Sequence, residues 1–229
     1  MKTSIVRFAA VAVYSVLASV AMAQGSSSGV LRVSTDSSAA SAADKTETRQ
    51  PGKFSGIDLR APADVVVSIG ANPSITVSGP ADVVPLLITS IHDDVLTIEL
   101  KEHVMLTKAL KVVITSPSLQ AVNLAGSGSM TASGINSDSL DLNVSGSGSI
   151  VASGQVKTVN VAIHGSGGVD VHAVHANALN ASVHGSGDLH GYASNAAIVD
   201  LAGSGDVRIS GKPSTKIVHR SGSGDVSFE

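Results

Sequence analysis

Leu124-Ala125-Gly126-Ser127-Gly128-Ser129-Met130 returns 20 residues later as Val144-Ser145-Gly146-Ser147-Gly148-Ser149-Ile150, and the same cadence runs on to the end of the chain. The tripeptide Gly-Ser-Gly occurs at Gly126–Gly128, Gly146–Gly148, Gly165–Gly167, Gly185–Gly187, Gly203–Gly205 and Gly222–Gly224, with 20, 19, 20, 18 and 19 residues between first glycines. A period this regular marks a repeat architecture. Each unit is one supersecondary piece that cannot bury its apolar side alone and has to stack on its neighbours.

Aligned on the triplet, the units place Leu124, Val144, Ile163, Val183 and Leu201 just before it, and Met130, Ile150, Val169, Leu189, Val207 and Val226 just after it. Val122, Leu142, Val161, Ala181, Val199 and Val218 stand one alternation further back. Apolar residues at every second position describe short strands with one buried side. The glycines suit a sharp corner between strands, because they accept positive φ without a Cβ clash. Two short strands and a corner cannot close a sheet alone, but they make one rung of a coil whose rungs pair in parallel, ~4.8 Å apart. A leucine-rich repeat needs a Leu-x-x-Leu-x-Leu pattern that does not occur, and a calcium-binding nonapeptide roll has a shorter period. The fold expected is all-β, a single-stranded parallel β-helix.

Working outward, residues 51–119 carry strand-like runs without the triplet. These are Phe54–Leu59, Val65–Ile69, Ser74–Val77, Val95–Leu100 and Leu110–Thr115, separated by Pro62, Pro73 and Pro117. Ala81–Leu87 has room for one helical turn, with Pro85 against a longer one. Irregular units suit the end of a stack, which needs its own chemistry. Residues 1–23 read as a secretory signal: Lys2 and Arg7, an apolar run from Phe8 to Val20, and Ala21-Met22-Ala23 as a cleavage site. The apolar run is shorter than the ~20 residues a spanning helix needs. Residues 24–50, rich in Ser, Ala and Thr, read as a flexible leader. Residues 51–229 then form one domain. The mature chain is expected to have no transmembrane segment and to be exported to the periplasm or the cell surface.

Composition narrows the function. Aromatic residues are 2% and charged residues 14%, which suits a narrow interior filled by small and β-branched side chains. A net charge of −3 with scattered Lys and Arg excludes a nucleic-acid stripe. The chain has 0 cysteines, so neither disulfides nor lipid attachment at a cysteine is available.

The runs Phe54-Ser55-Gly56-Ile57, Val65-Val66-Val67-Ser68-Ile69, Pro73–Gly79, Leu96-Thr97-Ile98 and Val112–Leu119, followed by serial Gly-Ser-Gly units, resemble a bacterial family. It is described as the putative auto-transporter adhesin, head GIN domain. The resemblance spans about residues 51–229. It implies a right-handed parallel β-helix with irregular N-terminal rungs and an exported location, and it carries over no catalytic residue.

No unit supplies a phosphate loop, Gly-x-x-x-x-Gly-Lys-Ser/Thr, or the Gly-x-Ser-x-Gly elbow of a hydrolase, and six equivalent serines fit a structural corner better than one nucleophile. Asp188, Asp206 and Asp225 follow three consecutive triplets and stack as a carboxylate column, a candidate for weak Ca²⁺ binding. The preferred reading is that each accepts hydrogen bonds from corner amides, and no cofactor is expected. His164 and His184 occupy equivalent places in adjacent units, with His172, His175 and His190 close in sequence. An imidazole pair can hold a metal, although stable sites want a third ligand. Two functional classes follow. One is a noncatalytic structural or adhesive module whose partner is an envelope protein or a glycan. The alternative is a carbohydrate-active lyase or hydrolase, which needs a carboxylate pair in a groove bordered by rings. The last unit, ending Val226-Ser227-Phe228-Glu229, leaves an unpaired edge open to self-association.

Overall fold

A computed structural model describes residues 44–101 and 109–229. The stretch read as an export signal, residues 1–23, and that read as a leader, up to residue 43, lie outside the described residues. The end of the stretch read as leader is a strand, β1 (Asp44–Arg49). Its composition is unlike the rest of that stretch, because charged and hydroxyl residues alternate. Thr46 and Thr48 meet Ser78 and Thr76 of the neighbouring strand, while on the other side Arg49 donates to the Leu87 carbonyl at 2.7 Å and to Glu47 at 2.9 Å.

The chain continues through β2 (Gly56–Leu59), β3 (Ala63–Ile69), β4 (Ser74–Pro80), a short 3-10 turn at Val84–Leu86, β5 (Leu87–His92), β6 (Val95–Leu100) and β7 (Leu110–Ser116). The repeat follows as β8 (Ala121–Gly126), β9 (Ser129–Gly146), β10 (Ser149–Gly165), β11 (Gly168–Gly185), β12 (Leu189–Tyr192), β13 (Ala196–Gly203), β14 (Val207–Ser210), β15 (Thr215–Gly222) and β16 (Val226–Phe228). From β8 onward every pairing between coils is parallel. The six corners stand in register, Gly126, Gly146, Gly165, Gly185, Gly203 and Gly222 over one another. The fold is the parallel β-solenoid expected from the repeat.

Each coil has three sides. A first sheet carries β8, the C-terminal halves of β9–β11, and β13 and β15. A second sheet carries β3, β7, the N-terminal halves of β9–β11, and β12, β14 and β16. A short third side, stacked as Ile135-Asn136-Ser137, Gly154-Gln155-Val156 and Val174-His175-Ala176, joins them. The backbone bends there at Gly134 and Gly154, both at positive φ, and the pairing shifts register by one residue and then resumes. That is why β9, β10 and β11 are continuous strands of 18, 17 and 18 residues where the alternation suggested two short ones.

The interior columns are those read from the alignment except in the last coil, where Val218 is exposed and Val226 only partly buried because no described coil covers them. Val122, Leu142, Val161, Ala181 and Val199, with Leu124, Val144, Ile163, Val183 and Leu201, are all buried. Burying each aliphatic side chain contributes about 1.5–3 kcal/mol, so the coil gains stability by repetition rather than from one cluster.

The irregular units do close the N-terminal end of the stack, but not in chain order. β2 lies between β6 and β8, and β3 between β7 and β9. The coil met first along the chain is therefore inserted between two met later. Ser116, the one buried polar residue among those described, pins this arrangement by sharing its one hydroxyl proton between the Phe54 and Ser118 carbonyls, each at 2.9 Å. Outside it, β4 runs antiparallel to β7, β1 to β4 and β5 to β6, which ends the parallel ladder. The β5–β6 hairpin turns through Asp93 and Asp94, both at positive φ (49° and 66°), as a two-residue mirror-image turn requires.

Candidate functional site

Outward positions on a solenoid form columns, and each column shows whether its groups serve the fold or face solvent uncommitted. On the first sheet the Asn180 amide donates to Asn160 at 2.8 Å, Asn160 donates to the Asp141 carboxylate at 2.6 Å, and Asn143 donates to Asn123 at 2.9 Å. These groups line a shallow groove of about 520 Å³. They are largely spent on one another.

The sequence-read candidates fall in three places. In the Asp188, Asp206 and Asp225 column, the Asp188 carboxylate accepts the Asp206 backbone N–H at 2.9 Å, and Asp206 accepts that of Asp225 at 3.2 Å. Asp188 and Asp206 therefore each cap the amide of the following coil. Arg208 and Arg220 approach Asp206 and Asp225 at 3.6 and 3.4 Å. His164 and His184 stack, with ring centroids 5.3 Å apart and planes at 24°. The other histidines are engaged elsewhere: His172 with Asp170 at 2.5 Å, His190 with Arg208 at 3.0 Å, and His175 edge-on to Tyr192 at 5.1 Å. Among the described residues no three His, Asp or Glu side chains converge in a way that could hold a metal ion. Burial pushes the Asp170 carboxyl up, but hydrogen bonds from the His172 ring and amide, with the charges of His172 and His190, outweigh it and hold the group below its ordinary value.

The third side carries what the sequence reading missed. A polar groove of about 730 Å³ runs along the stack there, lined by Asn136, Asp138, Gln155, Lys157, His175 and Tyr192 among others. Asn136, Gln155 and His175 form one column in consecutive coils. Tyr192, the one tyrosine besides Tyr14, closes one end. Its ring lies against Gly211, where a Cβ would come within 2.8 Å of it. Asp138 and Lys157 are ion-paired at 2.7 Å, and hydrogen bonding to that carboxylate holds the Lys157 amine above the usual lysine range. No carboxylate pair lines this groove. Isolated polar residues between apolar positions carry no motif; the signal was their recurrence at one register. On the second sheet, exposed Val113, Val66 and Val151 line up with Thr131 to form a flat aliphatic stripe.

Coils stacked in parallel, with polar columns on a rigid surface, define the class of β-solenoid proteins. The chain belongs to the family described as "Putative auto-transporter adhesin, head GIN domain", whose model matches residues 53–213. Three solved structures share the fold. A putative adhesin from Bacteroides fragilis is 18% identical, with 82% of this chain and 97% of that chain covered and a TM-score of 0.67. A putative adhesin from Parabacteroides merdae is 18% identical over 81% and 96%, with a TM-score of 0.55. A putative lipid binding protein from Parabacteroides distasonis is 17% identical over 81% and 96%, with a TM-score of 0.52. At these identities the likeness establishes the fold. No curated protein matches this chain. Among the described residues no helix is long and apolar enough to cross a membrane.

Proposed function

We propose that the domain is a noncatalytic adhesive module, exported to the periplasm or the cell surface, that holds an envelope or extracellular component against the flat sides of its coil. The family supports an adhesive or structural role. The observation that carries the reading is the register itself. Polar side chains repeat at one spacing on a backbone paired from coil to coil, an arrangement suited to an extended, repetitive partner. The alternative, a carbohydrate-cleaving enzyme, needs an acid and a second carboxylate facing each other beside a ring. In the ring-bearing groove the one carboxylate, Asp138, is tied to Lys157. Cofactors have no part in the proposal, since the Asp188, Asp206 and Asp225 carboxylates already serve backbone amides or arginines. Co-sedimentation of the purified chain with isolated envelope fractions and with extracellular matrix tests it. Saturable pelleting with at least one preparation is expected, and none with any would overturn the adhesive reading.

A further inference from the structure

We infer that the groove on the third side binds a neutral polysaccharide laid along the stack, with Asn136 and Gln155 bonding its hydroxyls and Tyr192 packing against a sugar ring. This deepens the adhesive function and rests on it.

The argument starts from which amides are spent. On the first sheet the asparagines hydrogen-bond one another from coil to coil. On the third side the amides of Asn136, Gln155 and Asn177 make no hydrogen bond to any described residue, and all three are exposed. Each brings both a donor and an acceptor, the pairing that a sugar hydroxyl needs. Ser137 and Ser194, which also line the groove, turn their hydroxyls to the Ser139 and Ala176 carbonyls at 2.7 and 3.2 Å and so serve the backbone.

Charge then selects the ligand. Asp138 and Lys157 in the groove neutralise each other, so it offers neither an uncompensated carboxylate to a basic polymer nor an uncompensated ammonium to an acidic one. Spacing selects its shape. Asn136 and Gln155 stand one above the other in consecutive coils, with His175 next in the column, and the ~4.8 Å step between coils is close to the advance per sugar in an extended chain, so neighbouring sugars of one polymer each meet a polar side chain. Tyr192 adds a ring held by Gly211 and His175, and ordered aromatic rings supply contact area at low entropic cost.

Affinity electrophoresis of the full chain through native gels containing dextran, mannan or mixed-linkage β-glucan tests the inference, with alginate and polygalacturonate as acidic comparators. At least one neutral polymer should retard the chain. Gln155→Ala and Asn136→Ala, which remove no bond within the described fold, should each weaken binding roughly threefold to tenfold, the worth of one neutral hydrogen bond. Tyr192→Ala should weaken it too, and Asn143→Ala on the first sheet should not. Retardation by acidic polymers alone, by none, or to an equal extent in the Gln155 and Asn136 variants would overturn the inference. Saturable sedimentation with envelope fractions beside silent gels would overturn the glycan and leave the adhesive function standing. Silence in both experiments would remove both.

Discussion

Gly126 and Gly185 hold the same place in their units and have similar φ, +116° and +126°, yet their surroundings differ. The pairing of β8 with β2 stops at Leu59 and Leu124, so no strand pairs beneath Gly126, and a Cβ there would meet nothing within 4 Å. A Cβ on Gly185 would run into the Gly165 carbonyl oxygen of the coil beneath. Gly126→Ala should therefore cost only the left-handed strain, about 1–2 kcal/mol. Gly185→Ala should add an overpacking penalty of about 1–3 kcal/mol. Thermal melts by far-UV circular dichroism check the order, since each kcal/mol moves the midpoint by about 2–4 °C at this size. These corners were legible because six copies of one demand leave the same residues at one spacing. Asp93 and Asp94 were not legible: a mirror-image turn usually advertises itself with Asn-Gly, and here two aspartates adopt it. Asp170 gives a pH dependence of definite sign. Its carboxyl titrates lower in the fold than its ordinary value of 3.8, so its contribution is complete above that value and lost as pH falls through the lower one. Asp170→Asn should lower the melting temperature slightly near neutrality and flatten its dependence on pH below about pH 4, where the native carboxylate loses its contribution.

Among the elements, β15 shows how the open end is managed. Its register places Val218 over Val199 and Arg220 over Leu201, so a guanidinium stands where the other units put an aliphatic side chain. Arg220 donates to the Gly224 carbonyl at 3.2 Å and lies 3.4 Å from Asp225, while Lys216 sits 4.6 Å from the Phe228 ring. Among the described residues nothing pairs with the outer edge of β15 or β16. A charge at an inward position of an edge strand discourages addition of a foreign strand. Arg220→Leu should therefore increase self-association, read as a concentration-dependent rise in mass by light scattering that exceeds any seen for the native chain. An unchanged mass would show that the arginine is not what protects the edge. The departure at Arg220 is visible in the alignment, but its meaning depends on seeing that no coil among the described residues covers it. The strand β5 was missed for a different reason. Leu87–His92 buries only Leu87, so its residues do not alternate as a core strand does. The groove of the third side escaped notice because Asn136 and Gln155 mark nothing singly and matter only once their coils are superposed.

For the solenoid as a whole, the order of stacking departs from the order of the chain. Pairing by period predicts that each unit touches the ones before and after it, which holds from β8 onward. It fails at the start, where β2 and β3 are gripped on both sides by segments made later. No local pattern announces such an insertion, because β2 and β3 alternate as well as any other strands. The two ends should consequently tolerate loss unequally. Removing residues 214–229 takes away a coil with neighbours on one side only, and the remainder should still melt cooperatively, a few degrees lower. Removing residues 53–69 takes out a layer from between two others and should abolish the cooperative transition in the same assay. If both truncations melt alike, the insertion is not what holds the N-terminal end together.

Because Gly146, Gly165 and Gly185 meet their neighbours through the same backbone contacts, nothing in the interior counts how many coils there are. A duplicate of residues 146–164 inserted after His164 would find the same floor below it and offer the same ceiling above. Length is thus a free variable of this design, and the span a ligand can occupy grows in whole storeys.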